Sequence, residues 1–176
     1  MKIRLALFSI TSMFLLSLAT SSAQAQPATS AQAFDWNSGV VYDFVMNEGS
    51  ASSNVGLHVD VAKRILGDRA LSASAVGEVG LNHFENLTRR HFMGGLRFAA
   101  GDHPRYTPFG QLLIGAERCC SALGTNLATQ LGGGLDFAWR TRAAVRLQVD
   151  WRHVFTDVED QNGLRVGLGL VLPLSR

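Results

Sequence analysis

The sequence predicts an all-β protein, a single eight-stranded antiparallel up-and-down transmembrane β-barrel. Three observations carry this. Apolar and polar residues alternate from Trp36 almost to the end of the chain, and a period of two is the mark of strands. The alternation is cut into segments by turn-type residues, as in barrels that cross a membrane. Within each segment large apolar residues take one face, and glycine or charged residues take the other.

The chain opens with MKIRLALFSITSMFLLSLATSSAQAQ. Lys2 and Arg4 give a basic start, an apolar run follows, and Ala23-Gln24-Ala25 supplies small residues for cleavage. These are the parts of a secretory signal peptide, expected over residues 1–25; the run is short of the ~20 residues of a membrane-spanning helix. Residues 26–34 read as a short polar linker and 35–176 as the barrel. Without Lys2 and Arg4, Lys plus Arg equals Asp plus Glu. The exported part is therefore close to neutral, and its basic residues form no stripe for nucleic acid. No other apolar run is long enough for a spanning helix, so insertion in a membrane requires a closed barrel.

Eight segments follow, over residues 36–46, 54–65, 70–84, 90–99, 105–118, 126–140, 143–156 and 163–174. The connections GDR, GDHPR and TR are expected at one end. NEGSASS, ENLTRR, CCSALGTN and TDVEDQN are expected as exposed loops at the other, because outer loops are the longer ones in such barrels. AVRLQVDWRHVF shows the pattern most clearly: Val145, Leu147, Val149 and Trp151 alternate with Arg146, Gln148, Asp150 and Arg152. In LRVGLGLVLPL the leucine row opposes Arg165, Gly167 and Gly169.

Two arguments turn the apolar rows outward. A narrow eight-stranded barrel has room inside for glycines and a few polar side chains, but not for rows of leucine. The aromatics also sort to the rims. Trp36, Phe98, Tyr106 and Trp139 fall near one end and Phe84, Phe92, Trp151 and Phe155 near the other, as the two interfaces of a bilayer select. A soluble barrel would carry lysine on its wet face, yet Lys63 is the sole lysine after the leader; it falls at a rim, where it can snorkel.

The inward rows then collect Asp43, Asp60, Glu78, Glu117, Asp136 and Asp150 with Arg97, Arg146, Arg152 and Arg165. His58, Gln111, Gln130 and Gln148 join them. Charges in a narrow interior must pair, so the lumen is expected to be polar and largely plugged. No catalytic, metal or cofactor site is expected: the histidines lack ligand spacing, and His153, near Asp157 and Glu159, has no serine placed beside it. Gly132-Gly133-Gly134 reads as close packing, not a phosphate cradle. Cys119 and Cys120 are adjacent; they could form a strained link, pair between molecules or stay reduced.

The stretches YTPFGQLLIGAE, QLGGGLDFAWR and GLRVGLGLVLPL resemble the small outer-membrane β-barrel family, similar to the OmpA transmembrane domain. The resemblance implies a bacterial outer-membrane location, lipid as surroundings and assembly by the barrel-assembly machinery. Arg165, Gly167, Leu170 and Leu172 match the family's assembly signal, although the family usually closes on an aromatic residue and this chain closes Leu174-Ser175-Arg176. A structural or surface-interaction role is expected, with no external partner named. The alternative is a narrow porin-like channel for small solutes. A soluble periplasmic lipocalin-type binder and a lipid-modifying barrel enzyme follow behind.

Overall fold

The computed structural model describes residues 36–47, 53–67, 70–84, 87–101, 105–119, 124–140, 143–157 and 160–175. The leader, the linker and most residues of the connections lie outside them. Eight strands follow in order: β1 (Trp36–Asn47), β2 (Ser53–Gly67), β3 (Leu71–Phe84), β4 (Leu87–Ala100), β5 (Tyr106–Cys119), β6 (Thr125–Arg140), β7 (Ala143–Val154) and β8 (Gln161–Ser175). Each pairs antiparallel with its sequence neighbours, and β8 pairs with β1, closing the barrel. Closure leaves no strand edge with unpaired backbone groups.

Antiparallel neighbours alternate direction, so β1 and β8 place the two described ends of the chain, Trp36 and Ser175, side by side. We call this the terminal end. Connections 68–70, 101–105 and 141–142 also lie there, and 48–52, 85–86, 120–124 and 155–160 lie at the loop end. Register irregularities fall at the terminal end, between Trp36 and Asn37, Arg64 and Leu66, and Ala138 and Arg140. Pro173 sits beside the first of these, where its missing N–H disturbs the ladder least. Gly67 has φ +90° at the close of β2, a backbone conformation that glycine adopts without a Cβ penalty.

Most strand boundaries differ by one to three residues from those the sequence predicts, and two of the differences change the expected loops. β4 begins at Leu87, so Thr88, Arg89 and Arg90 of ENLTRR are strand residues and the β3–β4 connection is 85–86. β7 ends at Val154, leaving Phe155 and Thr156 in the connection. The polar run in the first case hides a strand start, because alternation cannot be seen where both faces are polar.

The faces divide as the alternation requires. Leu112, Ile114, Leu127, Leu131, Val149 and Leu168 are among many large apolar residues exposed on the outer surface. The inner rows are buried and dominated by polar side chains. This is the reverse of a barrel that holds an apolar ligand in water. Large apolar residues are nonetheless found inside as well: Met93, Leu113 and Phe109 are buried in the lumen. Met93 and Leu113 cluster with Ala62, Val76, Ala128 and Val154, filling volume between the charged side chains.

Candidate functional site: the charged interior

Every strand sends a polar side chain into the lumen. Asp60 of β2 receives Arg97 of β4, with Nη2 at 3.0 Å, and Arg146 of β7, with Nη1 at 2.6 Å. Arg146 turns the rest of its guanidinium to Asp136 of β6, Nε and Nη2 donating at 2.8 and 2.9 Å. The Phe109 ring of β5 lies under both cations, 4.9 Å from Arg97 and 4.7 Å from Arg146. A ring face attracts guanidinium charge, so Phe109 holds together two arginines that would otherwise repel.

Toward the loop end Arg165 of β8 donates Nη1 and Nη2 to the two oxygens of Glu78 on β3, at 2.8 and 3.1 Å. Its Nε and Nη2 also reach Asp150 Oδ2 at 2.9 and 2.7 Å. Arg152 donates to Gln130 Oε1 at 2.7 Å, to Glu117 Oε2 at 3.1 Å and to Glu78 Oε1 at 3.4 Å. Gln111 joins the two halves: its Oε1 accepts from Arg97 at 2.7 Å and its Nε2 donates to Asp150 Oδ1 at 3.1 Å. A chain of contacts thus runs from Glu117 near the loop end through Arg152, Glu78, Arg165, Asp150, Gln111, Arg97, Asp60 and Arg146 to Asp136 near the terminal end. Ionised partners make the shortest of these hydrogen bonds, such as Arg146–Asp60 at 2.6 Å and Arg165–Asp150 at 2.7 Å, the strong ones.

Six carboxylates face four arginines in this buried set. The excess of acid sits beside two histidines. His58 Nδ1 lies 2.6 Å from Asp43 Oδ2, and His91 Nε2 lies 3.2 Å from Glu78 Oε1. Asp43 also lies 3.6 Å from Arg165. A small recess at each end approaches the network. One is lined by Asn82, Arg89, Glu117 and Arg152 among others; the second is lined by Arg64, Thr107, Asp136 and Arg146 among others.

The ten charged residues that the sequence singles out are therefore all buried in the interior. His91, Phe109 and the half-buried Arg89, 3.5 Å from Glu117, belong to the same interior and are not singled out by it. Their signal is parity: Phe109 shares its row with Gln111 and Glu117, and His91 shares its row with Arg97.

The other expected sites fall as follows. Trp36, Phe98, Tyr106 and Trp139 are exposed toward the terminal end, and Phe92, Trp151 and Phe155 toward the loop end. The Phe84 side chain lies outside the described residues. Tyr42 and Phe44 also face outward from the body of β1, so the aromatics are less cleanly sorted than the sequence predicts. Lys63 Nζ lies 5.0 Å from the centre of the Trp36 ring. Arg165 and Gly167 point inward, and Leu170 and Leu172 outward, on the strand that closes against β1. Asn162 Oδ1 accepts a hydrogen bond from His153 Nδ1 at 2.8 Å, and the His153 ring stacks on Trp151 at 5.7 Å. The Cys119 side chain and Cys120 lie outside the described residues. Among the described residues no group of His, Cys, Asp and Glu is arranged to hold a metal.

No family model matches the chain and no curated relative matches it. Solved structures do. Neisserial surface protein A is similar over 79% of this chain and 96% of its own, with TM-score 0.61 at 7% identity. The outer membrane enzyme PagL is similar over 77% and 99%, with TM-score 0.53 at 14% identity. Ail, the attachment invasion locus protein of Yersinia pestis, is similar over 78% and 96%, with TM-score 0.50 at 11% identity. At these identities the likeness is one of fold: the chain has the architecture of the small eight-stranded outer-membrane barrels.

Proposed function

We propose that this chain is an integral bacterial outer-membrane protein of the OmpA-like small-barrel type, exported by its leader and sealed through its lumen. It serves as a structural or surface-interaction barrel and performs no catalysis. The observation that carries this is the pairing of an apolar outer surface with a continuous chain of ion pairs across the interior. Lipid covers the first, and the second blocks passage. Membrane insertion takes the barrel-assembly machinery, with Arg165, Gly167, Leu170 and Leu172 as its signal.

The loop end faces the exterior in this reading, since connections 48–52, 120–124 and 155–160 lie there and outer loops are the longer ones. His153 is a rim anchor. It ties β7 to Asn162 of β8 and packs against the outward rings of Trp151 and Phe155.

Planar-bilayer recording tests the sealed lumen. Purified protein is expected to give no stable openings of porin size, because eight strands leave an interior that side chains fill. Stable openings of that size would overturn the sealed lumen in favour of the channel.

A further inference from the structure

One pair of residues on the outer surface departs from the ordinary chemistry of sheets. Arg90 of β4 and Arg118 of β5 are direct cross-strand partners, and both are exposed on the outward face at the loop end. Directly opposed residues place their Cβ atoms about 5 Å apart, and like charges so placed destabilise a sheet. Among the described residues no other two cations are paired across strands, and no hydrogen bond or ion pair ties either guanidinium to another residue. The contrast with Arg89 is direct: one residue earlier and facing inward, it reaches Glu117 at 3.5 Å.

The surroundings point to what offsets this repulsion. Leu81 lies opposite Arg90 on β3, and Thr125 opposite Arg118 on β6. Two residues further along each strand, toward the middle of the barrel, the same face carries Phe92 and Ala116, themselves cross-strand partners. Phe92 is 64% exposed. Beyond Phe92 comes Gly94, where an added Cβ would meet only the Val76 carbonyl at 3.7 Å, so the surface there is low and open. Two adjacent cations thus stand directly above an apolar surface, the profile of a lipid with an anionic head and hydrocarbon tails.

From this geometry we infer that Arg90 and Arg118 together bind the phosphate of a phosphorylated lipid head group in the outer leaflet, with its hydrocarbon against Phe92, Ala116 and Gly94. The site rests on the membrane location and orientation proposed above. Guanidinium forks suit phosphate oxygens, and one phosphate between two arginines replaces their mutual repulsion by two attractions.

The test is native mass spectrometry of the folded protein extracted from membranes, titrated with diphosphoryl lipid A, with phosphate-free lipid A and with inorganic phosphate. Wild type is expected to retain one diphosphoryl lipid A on the order of thirtyfold more tightly than R90Q/R118Q, which corresponds to about 2 kcal/mol for the two arginines near an anionic surface. R90K/R118K, which keeps both charges and loses the guanidinium forks, should fall between the two. R105Q, which removes an exposed cation at the terminal end, should bind like wild type, and phosphate-free lipid A should not distinguish the variants. Equal binding by wild type and R90Q/R118Q would overturn the site, as would an equal loss in R105Q. Competition by millimolar inorganic phosphate as effective as by the lipid would overturn the lipid assignment in favour of a free anion. Each preparation is also run unboiled and boiled on a gel. Loss of the boiling shift in wild type would remove the membrane reading, and this site with it. A shift retained in every variant leaves the binding data to decide the site alone.

Discussion

Glu78 of β3 and Arg165 of β8 meet across the lumen as a two-pronged ion pair, with Arg165 Nη1 at 2.8 Å and Nη2 at 3.1 Å from the two carboxylate oxygens. Both side chains are almost fully buried, so removing one leaves a charge without its main partner. E78A or R165A is expected to cost about 3–5 kcal/mol. E78L/R165L, which removes both charges and keeps volume, should cost less than either single change, since paired burial of charge gains little over apolar packing. Urea unfolding of protein folded into phospholipid vesicles measures all three. Losses that simply add would show that the two side chains act independently.

Phe109 gives a second prediction, for a group that bonds to nothing and yet organises two cations. F109L keeps most of the volume and loses the ring beneath Arg97 and Arg146, which should cost about 1–2 kcal/mol. F109A also leaves a cavity and should cost about 3–5 kcal/mol. If F109L unfolds at the wild-type urea concentration, the ring contributes volume alone.

The outer surface makes its own demand. Leu131 is 58% exposed in the body of β6, where lipid covers it if the barrel spans a membrane. L131R should then destabilise the folded barrel in vesicles by about 2–4 kcal/mol, while M46R at the loop-end rim, whose cross-strand partners Ser53 and Leu164 carry no charge, should cost about 0–1 kcal/mol. Equal tolerance of the two substitutions would mean that water, not lipid, lies against Leu131.

Two glycines separate inside from outside in the same way. A Cβ at Gly132 would fall on the Asp150 carboxylate, whereas one at Gly77 would meet nothing within 4 Å. G132V pushes Asp150 away from Arg165 and Gln111, so a loss of at least about 1–3 kcal/mol is expected from overpacking alone. G77A should stay within about 0.5 kcal/mol of wild type. The temperature at which the unboiled gel band converts to the boiled one ranks the variants, and a G77A loss as large as that of G132V would misplace the faces.

The sequence carries the strands and their faces well because a period of two is a local property. In β7 the burial pattern follows the alternation of AVRLQVDWRHV almost residue by residue. Where it is unclear, the cause is local too. The run Arg89-Arg90-His91 gives no contrast between successive residues, so it hides both the start of β4 and the inward turn of His91. Phe109 was legible only by parity, since an aromatic residue in a row with Gln111 and Glu117 breaks the rule of polar inside and apolar outside. The partners across the lumen are another matter. Arg165 and Glu78 are 87 residues apart, and their meeting depends on barrel closure and strand stagger, which no local pattern encodes. The Arg90–Arg118 juxtaposition needs the β4–β5 register for the same reason.

Whether the barrel lies closed in the outer membrane is measured by fractionation followed by a gel of unboiled and boiled outer-membrane material. A band in that fraction whose mobility shifts on boiling is expected, because a closed barrel resists detergent until heated. A soluble periplasmic protein with no shift would contradict that location, and would mean that the apolar surface of Leu112, Leu131 and Leu168 is covered by something other than lipid.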